Sequence, residues 1–412
     1  MQQSKPLCGS PSPGSVSEVF KAFLVLGLTS FGGPVAHIGY FREAFVARRK
    51  WLDEAAYADL VALSQFTPGP ASSKVGIAIG LARAGLPGAL AAWVGFTLPS
   101  ALALILFAYG VDGFAGDLNA GWLQGLAIVA VAVVAQAVWG MAKNLCPDAH
   151  RFTVAVFAAV LVTTWPTSMG QVAAIAIGAL AGWLFLAGKS DNAYAELDMP
   201  FGKAAGAVCL GLFFALLIGL PVAAGLYPGQ ALAIFDSFYR SGSLVFGGGH
   251  VVLPLLQSEV VPPGWVTNDR FLAGYGAAQA VPGPLFTFAA YLGTIMTSEP
   301  NGWPGAVLCI VAIFLPGFLL MVGVLPYWNR LRRLAPVRSA LAGVNAAVVG
   351  LLLAALYHPV WTSAIQAPAD FALGLVAFAL LVFWKLPPWL VVVLSALGGW
   401  LLVQASAWMP AT

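Results

Sequence analysis

Lys74 follows Ser72 and Ser73, and all three stand just behind the run Pro68-Gly69-Pro70 in an otherwise apolar stretch. Those residue types in that order suit the capture of an anion. Proline has no amide proton and clashes with the preceding turn, so Pro-Gly-Pro breaks a helix. Pro70 suits the first position of the helix that resumes, which leaves the amides of Ala71, Ser72 and Ser73 free at a positive helix end. Lys74 adds a fixed charge, and a charge at membrane depth is costly enough to mark function. Its bland reading is a side chain snorkelling to the membrane surface.

The run recurs half a chain later, where Ala278-Gln279-Ala280-Val281-Pro282-Gly283-Pro284 answers Ser64-Gln65-Phe66-Thr67-Pro68-Gly69-Pro70. With 28 prolines and 46 glycines in 412 residues, chance supplies about 0.2 Pro-Gly-Pro runs. Two copies indicate duplication. Gln65 and Gln279 lie within a turn of each break and are candidate amide donors. In the second copy the amides of Leu285, Phe286 and Thr287 are the ones freed, and Phe288 stands where the first has Lys74. A shared anion site would therefore be lopsided. The structural alternative is a pair of kinks in ordinary spans.

Phe31-Gly32-Gly33-Pro34 and Phe246-Gly247-Gly248-Gly249 are the other breaks. Glycine permits close backbone approach, so Gly32, Gly33, Gly247 and Gly248 are expected to meet the Pro-Gly-Pro turns near the membrane midplane. They open no βαβ unit, which rejects nucleotide binding. Asp236 and Arg240 share a helical face, either as an internal ion pair or with Arg240 as a second anion contact. Arg42 and Glu43 form a further charged pair. Glu43, Asp59 and Asp236 are the proton-coupling candidates, while Asp53 and Glu54 read as caps of the helix beginning there. Gln136 and Asn345 read as interhelical hydrogen bonds.

His37, His150, His250 and His358 have no ligand spacing, and no Walker, Gly-x-Ser-x-Gly or His-Glu-x-x-His motif occurs. No catalytic residue, metal or cofactor is expected, so energy must come from an ion gradient or a partner. Cys8, Cys146, Cys209 and Cys309 are far apart and read as packing thiols.

The elements that must position these residues are membrane helices. Hydrophobic residues make up 60% of the chain, charged residues 8%, and mean hydropathy is +0.87, against about 25% charge in soluble domains. A net charge of +3 without a basic face excludes nucleic acid as a partner. Thirteen apolar runs between residues 16 and 408 are long enough to cross about 30 Å of hydrocarbon. The seventh, 204 to 226, stands between two sets of six. The fold expected is an all-α polytopic membrane protein: a polar tail over 1–15, a first repeat over 16–188, a linker and connecting helix over 189–228, and a second repeat over 229–408. An odd number of spans between equivalent segments makes the repeats inverted.

Lysines and arginines orient the chain with its N-terminus in the cytoplasm and its C-terminus in the periplasm. Arg83, Lys143, Arg151, Lys189, Lys203, Arg330, Arg338 and Lys385 then all lie inside. Arg42, Arg48, Arg49 and Lys50 fit only if the first two segments of the repeat dip in at their breaks and return as re-entrant hairpins.

These motifs resemble those of the chromate ion transporter family in its long, two-domain form. The resemblance rests on Phe31-Gly32-Gly33-Pro34 with His37, Ser64-Gln65 through Pro70, Phe96-Thr97-Leu98-Pro99-Ser100, and the second-half copies around Gly248, Pro282 and Pro316. It runs from about residue 18 to 408. It implies a bacterial inner-membrane protein that exports chromate using the proton gradient or membrane potential, gives resistance, and meets sulfate as a mimic. Chromate comes from the resemblance; composition and spacing point only to an anion carrier. Sulfate uptake or oxyanion exchange is the competing reading, and a homodimer is compatible with both.

Overall fold

The computed structural model describes residues 14–114, 121–186, 202–246, 248–331 and 334–408, and every regular element among them is a helix. α1 (Val16–Thr29) starts at Ser15, whose hydroxyl accepts from the Glu18 amide at 3.1 Å. It ends at Ser30, because Gly32 turns left-handed (φ +99) before α2 (Gly33–Phe41), which runs on as π-helical turns to Arg48. α3 (Glu54–Phe66) is capped by Asp53, which accepts from the Ala56 amide at 2.7 Å, the capping role expected from sequence. The Pro-Gly-Pro break follows, and then α4 (Ala71–Phe114).

A straight helix of 44 residues would be about 66 Å long, twice the hydrocarbon thickness. α4 instead folds back at Ala84-Gly85, where Gly85 has φ +65. Its arms, 71–83 and 86–114, pack so closely that a Cβ on Gly80 would stand 2.9 Å from that of Ala92. Then come α5 (Gly121–Leu145), α6 (Ala149–Thr164), α7 (Ser168–Phe185) and α8 (Lys203–Leu226). α8 has mean hydropathy 2.5 with only 6% of its window buried, a peripheral helix suited to lipid.

The second half repeats the order. α9 (Gln230–Leu244) breaks before a 3₁₀ turn, Gly249–Val251, and α10 (Val252–Val260). α11 (Asn268–Ala278) breaks at the second Pro-Gly-Pro, and a 3₁₀ turn, Leu285–Thr287, leads into α12 (Phe288–Ile295). α13 (Gly302–Val324), the short α14 (Trp328–Leu331), α15 (Ala335–Ala355), the short α16 (Thr362–Ala364), α17 (Pro368–Val382) and α18 (Pro388–Trp408) complete the chain. By length and composition six of the described helices can cross a membrane. The first, second, eighth and ninth of the thirteen apolar runs are instead pairs of shorter helices joined at the breaks.

Equivalent helices make equivalent contacts. α1 lies along the second arm of α4, with Gly27 against the Gly95 and Phe96 carbonyls, and α9 lies along α13, with Gly242 against Ile313. α5 packs against α17 and α18 of the other half, while α15 packs against α6 and α7 of the first. At both crossings glycines let backbones touch: a Cβ on Gly399 would stand 2.7 Å from the Cα of Gly125, and one on Gly343 2.7 Å from the Cα of Gly182.

One end of the second arm of α4 gathers the N-terminal loops. The Gly14 amide donates to the Arg83 carbonyl at 3.1 Å, and the Arg83 guanidinium pairs with Glu18 at 3.2 Å and lies 5.1 Å over the Trp51 ring. At the other end, Tyr109 meets Trp303 with ring centroids 6.5 Å apart, and the Thr297 amide donates to the Trp265 carbonyl at 3.1 Å. The hairpin turns of the two halves thus lie at opposite ends of one helix. Between them sit two aromatic cores, Phe23, Phe41, Phe45, Trp51 and Phe96 in the first half and Phe271, Tyr275, Phe288 and Tyr291 in the second.

Candidate functional site

Within each Pro-Gly-Pro run only the glycine has an amide proton, and its left-handed conformation (φ +104 at Gly69, +100 at Gly283) turns that amide outward. Gly69 donates to the Val245 carbonyl at 2.7 Å and Gly283 to the Ser30 carbonyl at 2.9 Å. Each bond reaches the residue that precedes the glycine-rich break of the other half. Gly69 packs against Gly317 and Gly283 against Ser100, the residues after Leu315-Pro316 and Leu98-Pro99, and Pro34 lies beside Gly249. All four breaks therefore meet in one place.

Lys74 is wholly buried there. Its ammonium donates to the Ser64 carbonyl at 2.5 Å, the Pro68 carbonyl at 3.1 Å, the Thr67 hydroxyl at 3.0 Å, and the Thr67 carbonyl. These oxygens include the free carbonyls at the negative end of α3, so the charge caps one broken helix while riding on the next. It does not snorkel. The first amides of α4 have no partner within the helix, and Lys74 is the first whose amide bonds back, to Pro70 at 3.0 Å. Pro70 is therefore the cap of α4 rather than its first residue, and Pro284 takes the same place, accepting from Thr287 at 3.0 Å. Where the first half has Lys74, Phe288 fills the second aromatic core, edge-on to Phe271 at 5.1 Å and stacked on Tyr291 at 6.0 Å. The asymmetry expected between the two copies follows from that filling.

His37 joins the breaks. Its Nε2 bonds the Ser30 carbonyl at 3.1 Å and its Nδ1 lies 3.2 Å from the Ser72 hydroxyl. The Ser30 carbonyl thus accepts from both His37 and Gly283. Around this junction the hydroxyls of Ser30, Ser73 and Thr97 and the amide nitrogen of Gln279 are buried without a hydrogen-bond partner. Such atoms cost about 1–3 kcal/mol each. Free amides, uncommitted hydroxyls and one ammonium form a donor-rich environment suited to an oxyanion.

Gln65 is exposed. Gly32 and Gly33 form the turn into α2, Gly248 lies beside Met141, and Gly247 falls outside the described residues. The Arg240 fork is taken by Asp236 at 2.8 Å and Glu259 at 2.9 Å, the internal-pair alternative extended by a second carboxylate. Arg42 pairs with Glu54 at 2.6 Å and Glu43 with Arg48 at 2.8 Å, so the expected Arg42–Glu43 pair is not formed. Asp59 is buried in α3. Gln136 bonds the Leu381 carbonyl at 3.4 Å, as an interhelical bond, and the Asn345 side-chain oxygen is buried without a partner. Among the described residues no cluster of His, Cys, Asp and Glu could hold a metal. The sequence did not single out Ser30, gave Thr67, Thr97 and Ser100 only as members of motifs, and gave His37 as a motif member and as one of four histidines without ligand spacing. Hydroxyl residues flanking every break were the available signal.

Broken helices that bring polar groups together inside a multi-pass helical membrane protein define a membrane transporter. The chain belongs to the chromate transporter family, whose profile matches it twice, over residues 17–183 and 232–400. It is 28% identical to a chromate transport protein of Pseudomonas aeruginosa, over 95% of this chain and 93% of that one. It is also 28% identical to a probable chromate transport protein of Synechococcus elongatus, over 93% and 95%, and to a chromate transport protein of Cupriavidus metallidurans, over 92% and 90%. No solved structure matches the chain.

Proposed function

We propose that the protein exports chromate from the cytoplasm as a secondary transporter driven by the membrane potential or proton gradient, and so confers chromate resistance. The observation that carries the reading is the junction of four broken helices, where free amides, buried hydroxyls and Lys74 surround one place reached from both halves. A tetrahedral dianion matches such a donor set, and the relatives' names supply chromate. Ser72, Ser73, Lys74 and the two Pro-Gly-Pro turns form the binding site in this reading. Residues 16–188 and 229–408 act as inverted repeats joined through α8, supported by a family match falling once in each half and by hairpin turns at opposite ends of the second arm of α4. Alternating access then comes from rocking of one repeat against the other. The reading sets the protein in the bacterial inner membrane, N-terminus in the cytoplasm and C-terminus in the periplasm.

Everted membrane vesicles test this. Energised accumulation of chromate, abolished when the gradients are collapsed, is the expected result. Sulfate accumulation in right-side-out vesicles with no chromate uptake in everted ones would reject export in favour of the second reading, uptake or exchange of sulfate, which shares chromate's charge and shape.

A further inference from the structure

His37 lies at the junction, yet it is neither a charge partner nor a helix cap. Its ring is 1% exposed and edge-on to Phe96, with centroids 5.2 Å apart. A carbonyl can only accept, so the bond to Ser30 requires the proton on Nε2. In the neutral ring Nδ1 then carries a lone pair, and the Ser72 hydroxyl must donate to it. The hydroxyl proton of Ser72 is thereby turned away from the free amides beside it.

We propose that His37 is the proton-coupling group of transport, acting by reversal of its hydrogen bond with Ser72; this rests on the anion-transport reading above. When Nδ1 takes a proton from water, it becomes a donor and the Ser72 oxygen its acceptor. The Ser72 O–H then rotates toward the anion at the start of α4, next to the unpartnered hydroxyl of Ser73. Protonation therefore adds one donor and one positive charge to the site. Conversely, the dianion favours the imidazolium, so proton and anion bind together, and the pair leaves the cytoplasm as one net negative charge driven by the membrane potential rather than by the pH gradient. The Ser30 carbonyl, already shared with Gly283 of the second repeat, keeps the ring in place in both states.

The charged and titratable groups on the elements packed about His37 do not replace it. On α4, Lys74 is turned into the α3 carbonyls and Arg83 pairs with Glu18 of α1. On α3, Glu54 pairs with Arg42 and the Tyr57 hydroxyl bonds the Ile38 carbonyl, while Asp59 is buried one turn beyond Glu54. Lys21 of α1 is exposed, Glu43 and Arg48 pair with each other at the surface, and His250 of the second half bonds Tyr275. Two cations as near as His37 and Lys74 are tolerated best with the dianion present, which is the source of coupling.

The test uses the full-length protein in lipid nanodiscs, titrated with chromate across a pH series and, in weak buffer, followed for proton uptake. The expected result is about one proton taken up per anion, with affinity rising about tenfold per pH unit as pH falls above the His37 titration. His37→Gln and Ser72→Ala should each bind chromate more weakly than the wild type at low pH, with uptake abolished and only the anion's own pH dependence left. Wild-type binding without proton uptake would overturn the inference, as would either variant retaining full uptake, or Asp59→Asn abolishing it. If His37→Gln fails to fold, Ser72→Ala decides alone, since it removes one hydroxyl. A wild-type protein that binds no oxyanion at any pH rejects the transport reading, and the inference with it.

Discussion

Replacing Lys74 by Met keeps the aliphatic stem and removes the ammonium, whose protons are shared among the Ser64, Thr67 and Pro68 carbonyls and the Thr67 hydroxyl. Each bond to a charged group contributes about 1.5–3 kcal/mol. Three such bonds total roughly 4.5–9 kcal/mol, and desolvation of the buried ammonium takes back several kcal/mol of that. The carbonyls at the end of α3 would then face a methyl group in a buried site. We expect Lys74→Met to lose about 3 kcal/mol of stability with no anion present. It should also weaken chromate binding by about tenfold or more, because the positive charge at the junction goes with it. The measurement is reversible denaturation in mixed micelles without anion, followed by equilibrium chromate binding on the folded variant. A variant as stable as the wild type would refute the capping argument, even if its binding fell. Unchanged affinity with lost stability would instead remove Lys74 from the anion site and leave it as the clasp between α3 and α4.

Gly69→Ala and Gly283→Ala should each cost about 1–2 kcal/mol for the left-handed backbone alone. The Gly283 Cβ would meet the Ser100 hydroxyl at 2.8 Å, so Ser100→Ala should partly rescue that variant's thermal stability, whereas no side chain can yield at Gly69, whose Cβ would sit 3.1 Å from the Gly317 backbone. In a background without native cysteines, Arg49→Cys and Pro263→Cys, both exposed, should react with impermeant thiol reagents from opposite faces of the membrane. Reaction from the same face would reject opposed hairpins. Arg240→Met should destabilise by about 3–5 kcal/mol by leaving Asp236 and Glu259 unpaired, and adding Asp236→Asn and Glu259→Gln should restore stability. A loss of chromate affinity in that folded triple variant would return Arg240 to the anion site.

The sequence by itself determined the elements and their breaks. Apolar runs dictate helices because a backbone in hydrocarbon must satisfy its own hydrogen bonds, and the clustered Pro-Gly-Pro and Gly-Gly runs interrupt those helices, whereas single prolines such as Pro99 and Pro316 are carried within them. The caps at Asp53 and the duplication were legible for the same reason: both are written in local residue type and order. Local order also places Lys74 beside Ser72 and Ser73. What it does not contain is the partner of any of them. That Lys74 turns back to Thr67, that Arg240 meets Glu259 as well as Asp236, and that Arg42 meets Glu54 depend on which helices lie side by side. Only tertiary structure crosses Gly69 to Val245 and Gly283 to Ser30. Each bond joins residues from different halves of the chain, and a hydrogen bond across such a separation leaves no periodicity for a sequence reading to find. The same holds for His37. A lone histidine on an apolar face is silent until Ser30 and Ser72 close on its two nitrogens and fix which of them carries the proton.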